Sequence, residues 1–387
     1  MLSINNMSLK KIIISLEEEE TIKEQLEKRS DPEAQRLERF LAMPDLTRAE
    51  GNPLCEIAKR VLSLEDFKDF YDIKTPEIVG TDVSFDLFDF AQDHPARSKS
   101  DTYYIDDKHI LRTHTTVMWY YFLIQEEIKN KIRNGESVGS LSHGKVYRRD
   151  EIDRSHMNVF HQIDGWYLCP KSIREITKED LQDVLAKIAR AIYGENVKYR
   201  FNEDTFPYTH PSIEMEIERG GKWLEVLGAG VVKGTVLKNL GIDPEVYNGW
   251  AFGFGLERLA MISMELPDIR LLWSDDERVK KQLKLDNKFK EVSKFPGITR
   301  DISFVVDKNF TPNDYYDLVR DLGKDLVEEV KLLDTFINAE KFGADRISYT
   351  FRVLYRSNER TLVSTEVDVI QNRLYQETKN RFNAEIR

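Results

Sequence analysis

Cysteine is nearly absent. Cys55 and Cys169 are the only two in 387 residues, and they form no Cys-x-x-Cys pair. That argues against a disulfide framework and a cysteine-rich zinc site. No apolar run approaches the ~20 residues that a spanning helix needs, so no membrane insertion is expected. Internal repeats and low-complexity tracts are missing. An excess of positive charge is missing too: the net charge is −11, from 57 basic and 68 acidic side chains. Nucleic-acid binders are ordinarily basic, so any RNA contact must come from a local stripe. Residues 293–387 hold 15 basic and 16 acidic side chains, so the acidity sits mostly upstream. Near the N-terminus, Ile12-Ile13-Ile14 is followed by four glutamates, Glu17 to Glu20. Transit peptides are Arg-rich and acid-poor, and secretory signals have a longer apolar core. Neither fits, so a cytoplasmic protein is expected, or a processed one in a mitochondrial or other organelle matrix.

What remains is an ordinary globular balance, 41% hydrophobic and 32% charged, with length for two domains and a small module. A helical extension is expected over residues 1–43. Its first helix, 15–29, would open with a capping box of Ser15 and Glu18. Asp31-Pro32 would start a second, with Leu37, Phe40 and Leu41 on one face. Over 44–275 strand-like and helix-like segments alternate without a strict βαβ repeat, which predicts α+β with a largely antiparallel sheet. Within it, 102–105 looks extended, 115–131 helical, and 159–168 a central strand. A helix should run from Thr177, capped by Asp180, to Tyr193, with Gly194 as its stop. Residues 223–232 read as a strand and 255–264 as an apolar helix. The charged stretch 276–292 reads as a linker. Residues 293–387 then show the β-α-β-β-α order of a ferredoxin-like domain, with its last strand not legible in 384–387.

Four stretches carry candidate chemistry. Arg148, Arg149 and Asp150, then His156, then Phe160, Gln162 and Asp164 fall on one predicted hairpin. Arginine clamps phosphate bidentately, an aromatic ring stacks a purine, and Gln162 and Asp164 share a strand face that suits an ammonium group. Gly253-Phe254-Gly255 leads into a helix with Arg258 in its first turn, where backbone can approach an anion. Residues 111–116, including Arg112, His114 and Thr116, mix donors and acceptors at a predicted helix start. Phe206 and Tyr208 point to one side and can wall an aromatic pocket. Each stretch alone also suits a purely structural role.

Taken together and in this order, the four resemble the phenylalanyl branch of the class II aminoacyl-tRNA synthetases. Asp93-His94-Pro95-Ala96-Arg97 and Trp223-Leu224-Glu225-Val226-Leu227-Gly228-Ala229-Gly230 add to the match. The resemblance runs from about Pro44 to the C-terminus and includes a ferredoxin-fold anticodon-binding domain, as in single-chain, mitochondrial-type enzymes. It implies a monomeric ligase that uses ATP, Mg2+, phenylalanine and tRNA(Phe). By the same resemblance, Arg148 and Arg258 are the catalytic arginines. ATP is held by Arg148, Asp150, His156, Phe160 and Arg258, with Phe160 and Arg258 on the two faces of adenine. Phenylalanine is held by His114, Thr116, Gln162, Asp164, Phe206, Tyr208 and Ala251, the last setting pocket depth. Glu225 is the implied magnesium ligand, and Pro76 marks the first motif. Phe304, Tyr349, Phe351 and Arg352 are the candidates for anticodon contact.

Four positions depart from the common pattern: Asp150 and Asp164 stand where Glu is usual, Tyr208 where Phe is usual, and Asn52, before Pro53-Leu54, where His is common, a position expected to serve structure or tRNA. One rival is a ligase of the same branch for another amino acid, such as phosphoserine or pyrrolysine. The apolar set Phe206, Tyr208 and Ala251 disfavours phosphoserine. The other rival is an RNA-binding protein that has lost catalysis, which the presence of both Arg148 and Arg258 disfavours.

Overall fold

In the computed structural model, residues 9–151, 153–291, 295–357 and 359–387 are described. The linker's end at 292 and the domain start expected at 293 lie outside them. The chain forms two compact units. The first takes residues 9–147, Val159–Leu266 and Leu283–Lys288; the second takes Arg148–Asn158, Pro267–Gln282 and Phe289–Arg387. No helix among the described residues is long and apolar enough to cross a membrane.

Strands of the first unit are β1 (Lys10–Ile13), β2 (Tyr71–Lys74), β3 (Ile78–Gly80), β4 (His109–Leu111), β5 (Val138–Tyr147), β6 (Val159–Pro170), β7 (Tyr199–Phe206), β8 (Thr209–Arg219), β9 (Lys222–Val232) and β10 (Tyr247–Gly255). Eight of them build one sheet in the order β1-β2-β5-β6-β10-β9-β8-β7, while β3 and β4 pair separately. From β5 to β7 every pairing is antiparallel; β1 on β2 and β2 on β5 are parallel. The class is α+β, with β6 central as its aromatic, β-branched run predicts.

The helix Lys178–Tyr193 forms as expected, with Thr177 and Asp180 exchanging both bonds of a capping box. The box expected from Ser15 and Glu18 does not form. The helix starts later, at Glu17, and its N-cap is Leu16 with no side-chain bond. Glu19 instead turns inward and accepts the amide of Glu77 at 3.0 Å. Residues 9–43 do not stand apart: β1 joins the main sheet, and the ring of Phe40 packs edge-on against Tyr103. The predicted helix over 115–131 is broken at Gln125, which adopts an extended backbone between Met118–Leu123 and Glu126–Arg133. Of residues 102–105, only Tyr104 makes a β-bridge.

The second unit has strands β11 (Ile298–Asp307), β12 (Val327–Phe336), β13 (Arg346–Tyr355) and β14 (Glu385–Ile386), in the order β12-β13-β11-β14. Helices Pro312–Gly323 and Ser364–Phe382 cover one face. The short β14 supplies the fourth strand that the sequence did not reveal. Two residues carry too little pattern to be legible as a strand.

Candidate active site

Antiparallel register lays one face of the first unit's sheet out in rows. One row runs Ser142, Asp164, Gly253, Gly228, Glu214; the next runs Ser140, Trp166, Ala251, Gly230, Ser212. Gly144, Gln162 and Gly255 form a third. Small residues dominate, so the floor is low and a few long side chains stand above it. Two glycines are dictated by what lies over them. A Cβ at Gly253 would sit 2.7 Å from Asp164 Oδ1, and one at Gly228 would sit 2.5 Å from Phe206 Cζ.

Asp164 is buried, and Thr116 Oγ1 donates to its Oδ2 at 2.6 Å. Beside it, the half-buried Gln162 keeps an Oε1 acceptor with no hydrogen-bond partner among the described residues. His114 Nε2 donates to the carbonyl of Ser84 at 3.1 Å, and the ring stacks on Phe90 at 5.9 Å. His114, Thr116, Gln162 and Asp164 thus belong to one wall.

An aromatic cluster adjoins it, with Phe88 and Phe90 touching both His114 and Tyr208. Phe206 and Tyr208 stack at 6.2 Å, and Tyr208 meets Trp119 and Phe88 edge-on at 6.0 and 6.2 Å. Trp119 lies flat on Trp166, 5.0 Å away, with Ala251 beside Trp166 in the floor. Sequence reasoning missed Phe88, Phe90, Trp119 and Trp166. Period two from Asp164 could have found Trp166, and helical spacing from Thr116 could have found Trp119. Phe88 ends the single 3-10 turn Asp86–Phe88 and Phe90 follows in the loop, a stretch too short for a periodic signal. The segment 93–97 explains itself here, because Arg97 donates to the carbonyl of Phe90 at 2.8 Å and pairs with Asp86, bracing the loop that carries both rings.

Arg112 does not join the site. It is buried and donates to the carbonyls of Lys145, Thr75 and Pro76. Behind the sheet, burial lowers the pKa of Lys145 and, with repulsion from Arg48, brings that of His143 down to about 4.

At the other end of the floor Arg258 is exposed, in the first turn of the helix Leu256–Met264, and its Nε donates to the Glu225 carbonyl at 2.7 Å. The Glu225 carboxylate is exposed and Phe160 is half-buried. Arg148, Asp150 and His156 lie on the 148–158 connection between β5 and β6, which groups with the second unit. There Arg148 is exposed, and His156 is tied to Asp153 through Nδ1 and its amide, both at 2.8 Å. Arg149, grouped by sequence with its neighbours, pairs with Asp317 at 3.2 Å and with Asp314. Arg320 donates to the carbonyls of Asp150 and Glu151.

In the second unit the anticodon candidates need correction. Phe304, Tyr349 and Phe351 are buried against the helices, with Phe351 4.5 Å from Tyr315. Arg352 alone faces out, paired with Asp301 at 2.7 Å. The exposed aromatic is Phe336 at the end of β12, edge-on to Phe342, over which Lys341 and Arg387 sit.

This pairing of units has counterparts among known families. Residues 39–283 match the tRNA synthetases class II core domain (F), and residues 293–387 match the ferredoxin-fold anticodon binding domain. Among relatives, the chain is 41% identical to the chloroplastic/mitochondrial phenylalanine–tRNA ligase of Arabidopsis thaliana, over 83% of this chain and 73% of that one. It is 38% identical to the mitochondrial phenylalanine–tRNA ligase of Mus musculus, over 77% and 70%. With that of Saccharomyces cerevisiae it shares 32%, over 86% of both. The chain belongs to the phenylalanine–tRNA ligase family of class II aminoacyl-tRNA synthetases.

Proposed function

We propose that the chain activates phenylalanine with ATP and transfers the acyl group to the terminal adenosine of tRNA(Phe). The observation that carries this is one cluster of side chains: a buried carboxylate beside an unmatched amide oxygen, stacked aromatics adjoining them, and small residues along the strands beneath. The ammonium group of phenylalanine would meet Asp164 and Gln162, with Thr116 and His114 fixing that wall. The phenyl ring would lie edge-on to Phe206 and Tyr208, its depth set by Ala251.

Phe160 and Arg258 would take the two faces of adenine, with Arg258 also on the γ-phosphate. Arg148 would hold the α-phosphate and the amino-acid carboxylate, and Asp150 and His156 would help hold the triphosphate. The carboxylate then attacks the α-phosphorus and pyrophosphate leaves. In the second step a ribose hydroxyl attacks the adenylate carbonyl and AMP leaves. No protein group forms a covalent bond; positioning and charge stabilisation by Arg148 and Arg258 carry the rate.

Magnesium would add positive charge at the phosphates. Among the described residues no cluster of three metal-ligating side chains exists. The exposed Glu225 suits an ion that takes one or two carboxylates and fills its shell with phosphate oxygens and water.

The C-terminal domain would read single-stranded anticodon bases, with Phe336 as a stacking surface and nearby cations for the backbone. Relatives matched along most of their length by this one chain favour a monomer, and their organellar names favour an organelle matrix over the cytoplasm.

ATP–pyrophosphate exchange with a panel of amino acids tests the proposal. Exchange driven mainly by phenylalanine supports it. Exchange driven by another amino acid overturns the substrate, and no exchange from folded protein overturns catalysis.

A further inference from the structure

β6 alternates, so Phe160 and Gln162 face the site while His161 between them points to the rear, fully buried. There both oxygens of one carboxylate are taken by this single residue. His161 Nδ1 lies 2.6 Å from Glu257 Oε1, and the His161 amide donates to Oε2 at 2.9 Å. The amide of Leu46 points at Nε2 from 3.0 Å. An amide only donates, so Nε2 carries no proton and Nδ1 does, which makes the ring a donor to Glu257. Glu257 is itself buried, in the first turn of the helix whose next residue is Arg258.

We propose that His161 and Glu257 form a clamp that positions Phe160 and Arg258, the residues assigned above to the two faces of adenine; the proposal rests on that assignment. Each member of the clamp is the chain neighbour of one adenine-facing residue. Two charge-assisted bonds therefore fix the separation of the strand carrying Phe160 and the helix start carrying Arg258. An apolar pair would fill the same volume without setting that distance. Positioning of this kind matters where ångström-scale displacement costs rate. His161 and Glu257 are positioning residues, since neither faces the site.

The test is steady-state ATP–pyrophosphate exchange with Glu257→Gln, His161→Leu and His161→Asn, alongside thermal melting. Glutamine sets an amide NH2 against one of two N–H donors, and leucine removes the ring donor. Both should raise KM for ATP about ten-fold or more while KM for phenylalanine stays within about two-fold. Asparagine can present an N–H near the Nδ1 position and should restore KM for ATP to within about three-fold of the parent. Equal rises in both KM values, melting changes alone, or asparagine as impaired as leucine would each overturn the clamp. The parent enzyme separates the two layers. Exchange driven by a different amino acid removes the substrate assignment, and the ratio of ATP KM values still decides the clamp. Absence of any exchange removes the clamp's role together with the assignment beneath it.

Discussion

Two sheets, the first largely and the second wholly antiparallel, each backed by helices, use these aromatic residues in opposite ways. In the first unit Phe206, at the end of β7, and Tyr208, in the turn after it, stay half-buried over a face of glycine, alanine and serine. In the second unit Phe304, Tyr349 and Phe351 turn toward the helices and stack on one another and on Tyr315. Its other face carries Asp301 with Arg352 and Ser303 with Thr350. An aromatic on a strand is therefore a recognition candidate when the facing strands are low enough to leave it a cavity. Otherwise it is core.

The comparison can be broken most strongly at Phe351. Phe351→Ala should cost about 3–5 kcal/mol in the denaturation transition of the C-terminal unit, as for any fully buried ring. A loss under about 1 kcal/mol would mean this ring is not core. Gly253→Ala addresses the other sheet. Displacing Asp164 should lower phenylalanine-dependent exchange about 100-fold in kcat/KM, with little change in melting. An active variant would deny the floor its role.

Acid should separate the two units. His143 is buried behind the first sheet with its pKa down to about 4, and the unfolded value is about 6.5. Between those values the unfolded chain binds more protons, so stability is lost as pH falls from about 6.5 toward 4, by roughly 3 kcal/mol. The second unit should lack this step, because residues 293–387 contain no histidine and its one histidine, His156 in the 148–158 connection, is exposed, not buried. His143→Gln should flatten the dependence of the first unit, which pH-dependent denaturation followed by tryptophan fluorescence would report. The smallest effect is expected at Phe336. Phe336→Ala should raise KM for tRNA about ten-fold by removing one stacking surface, leaving ATP–pyrophosphate exchange unchanged. An unchanged KM for tRNA would return the recognition face to some other element.

Much of this was legible in sequence where period and chemistry coincide. Gln162 and Asp164 share a face because strands alternate, and Thr177 with Asp180 announces its helix by cap chemistry alone. The wall residues Phe88 and Phe90 were not legible, because one 3-10 turn and the loop after it are too short to show a period, and bonds from distant residues, Arg97, Thr235 and Asn239, hold the segment. The facing of Phe304 and Phe351 was equally hidden. Alternation says which residues share a face of β11 or β13, but not which face the helices will cover. Arg149 looked like its neighbour Arg148, and only the carboxylates of Asp314 and Asp317 distinguish it.

The strand Lys10–Ile13 has a further consequence. It lies in parallel register along β2 and forms the margin of the large sheet, with two lysines and an exposed Ile13 on view. Shortening the chain to begin after Ile14 would move that margin inward to Tyr71–Lys74, three of whose four residues are buried. Its outward amides and carbonyls would then be a template for pairing between molecules, discouraged by Lys74 alone instead of by Lys10 and Lys11 as well. The expected result is a shortened enzyme that keeps its pocket yet self-associates with rising concentration, which light scattering would detect. The first strand thus acts as a guard against aggregation for a catalytic sheet whose chemistry lies several strands away.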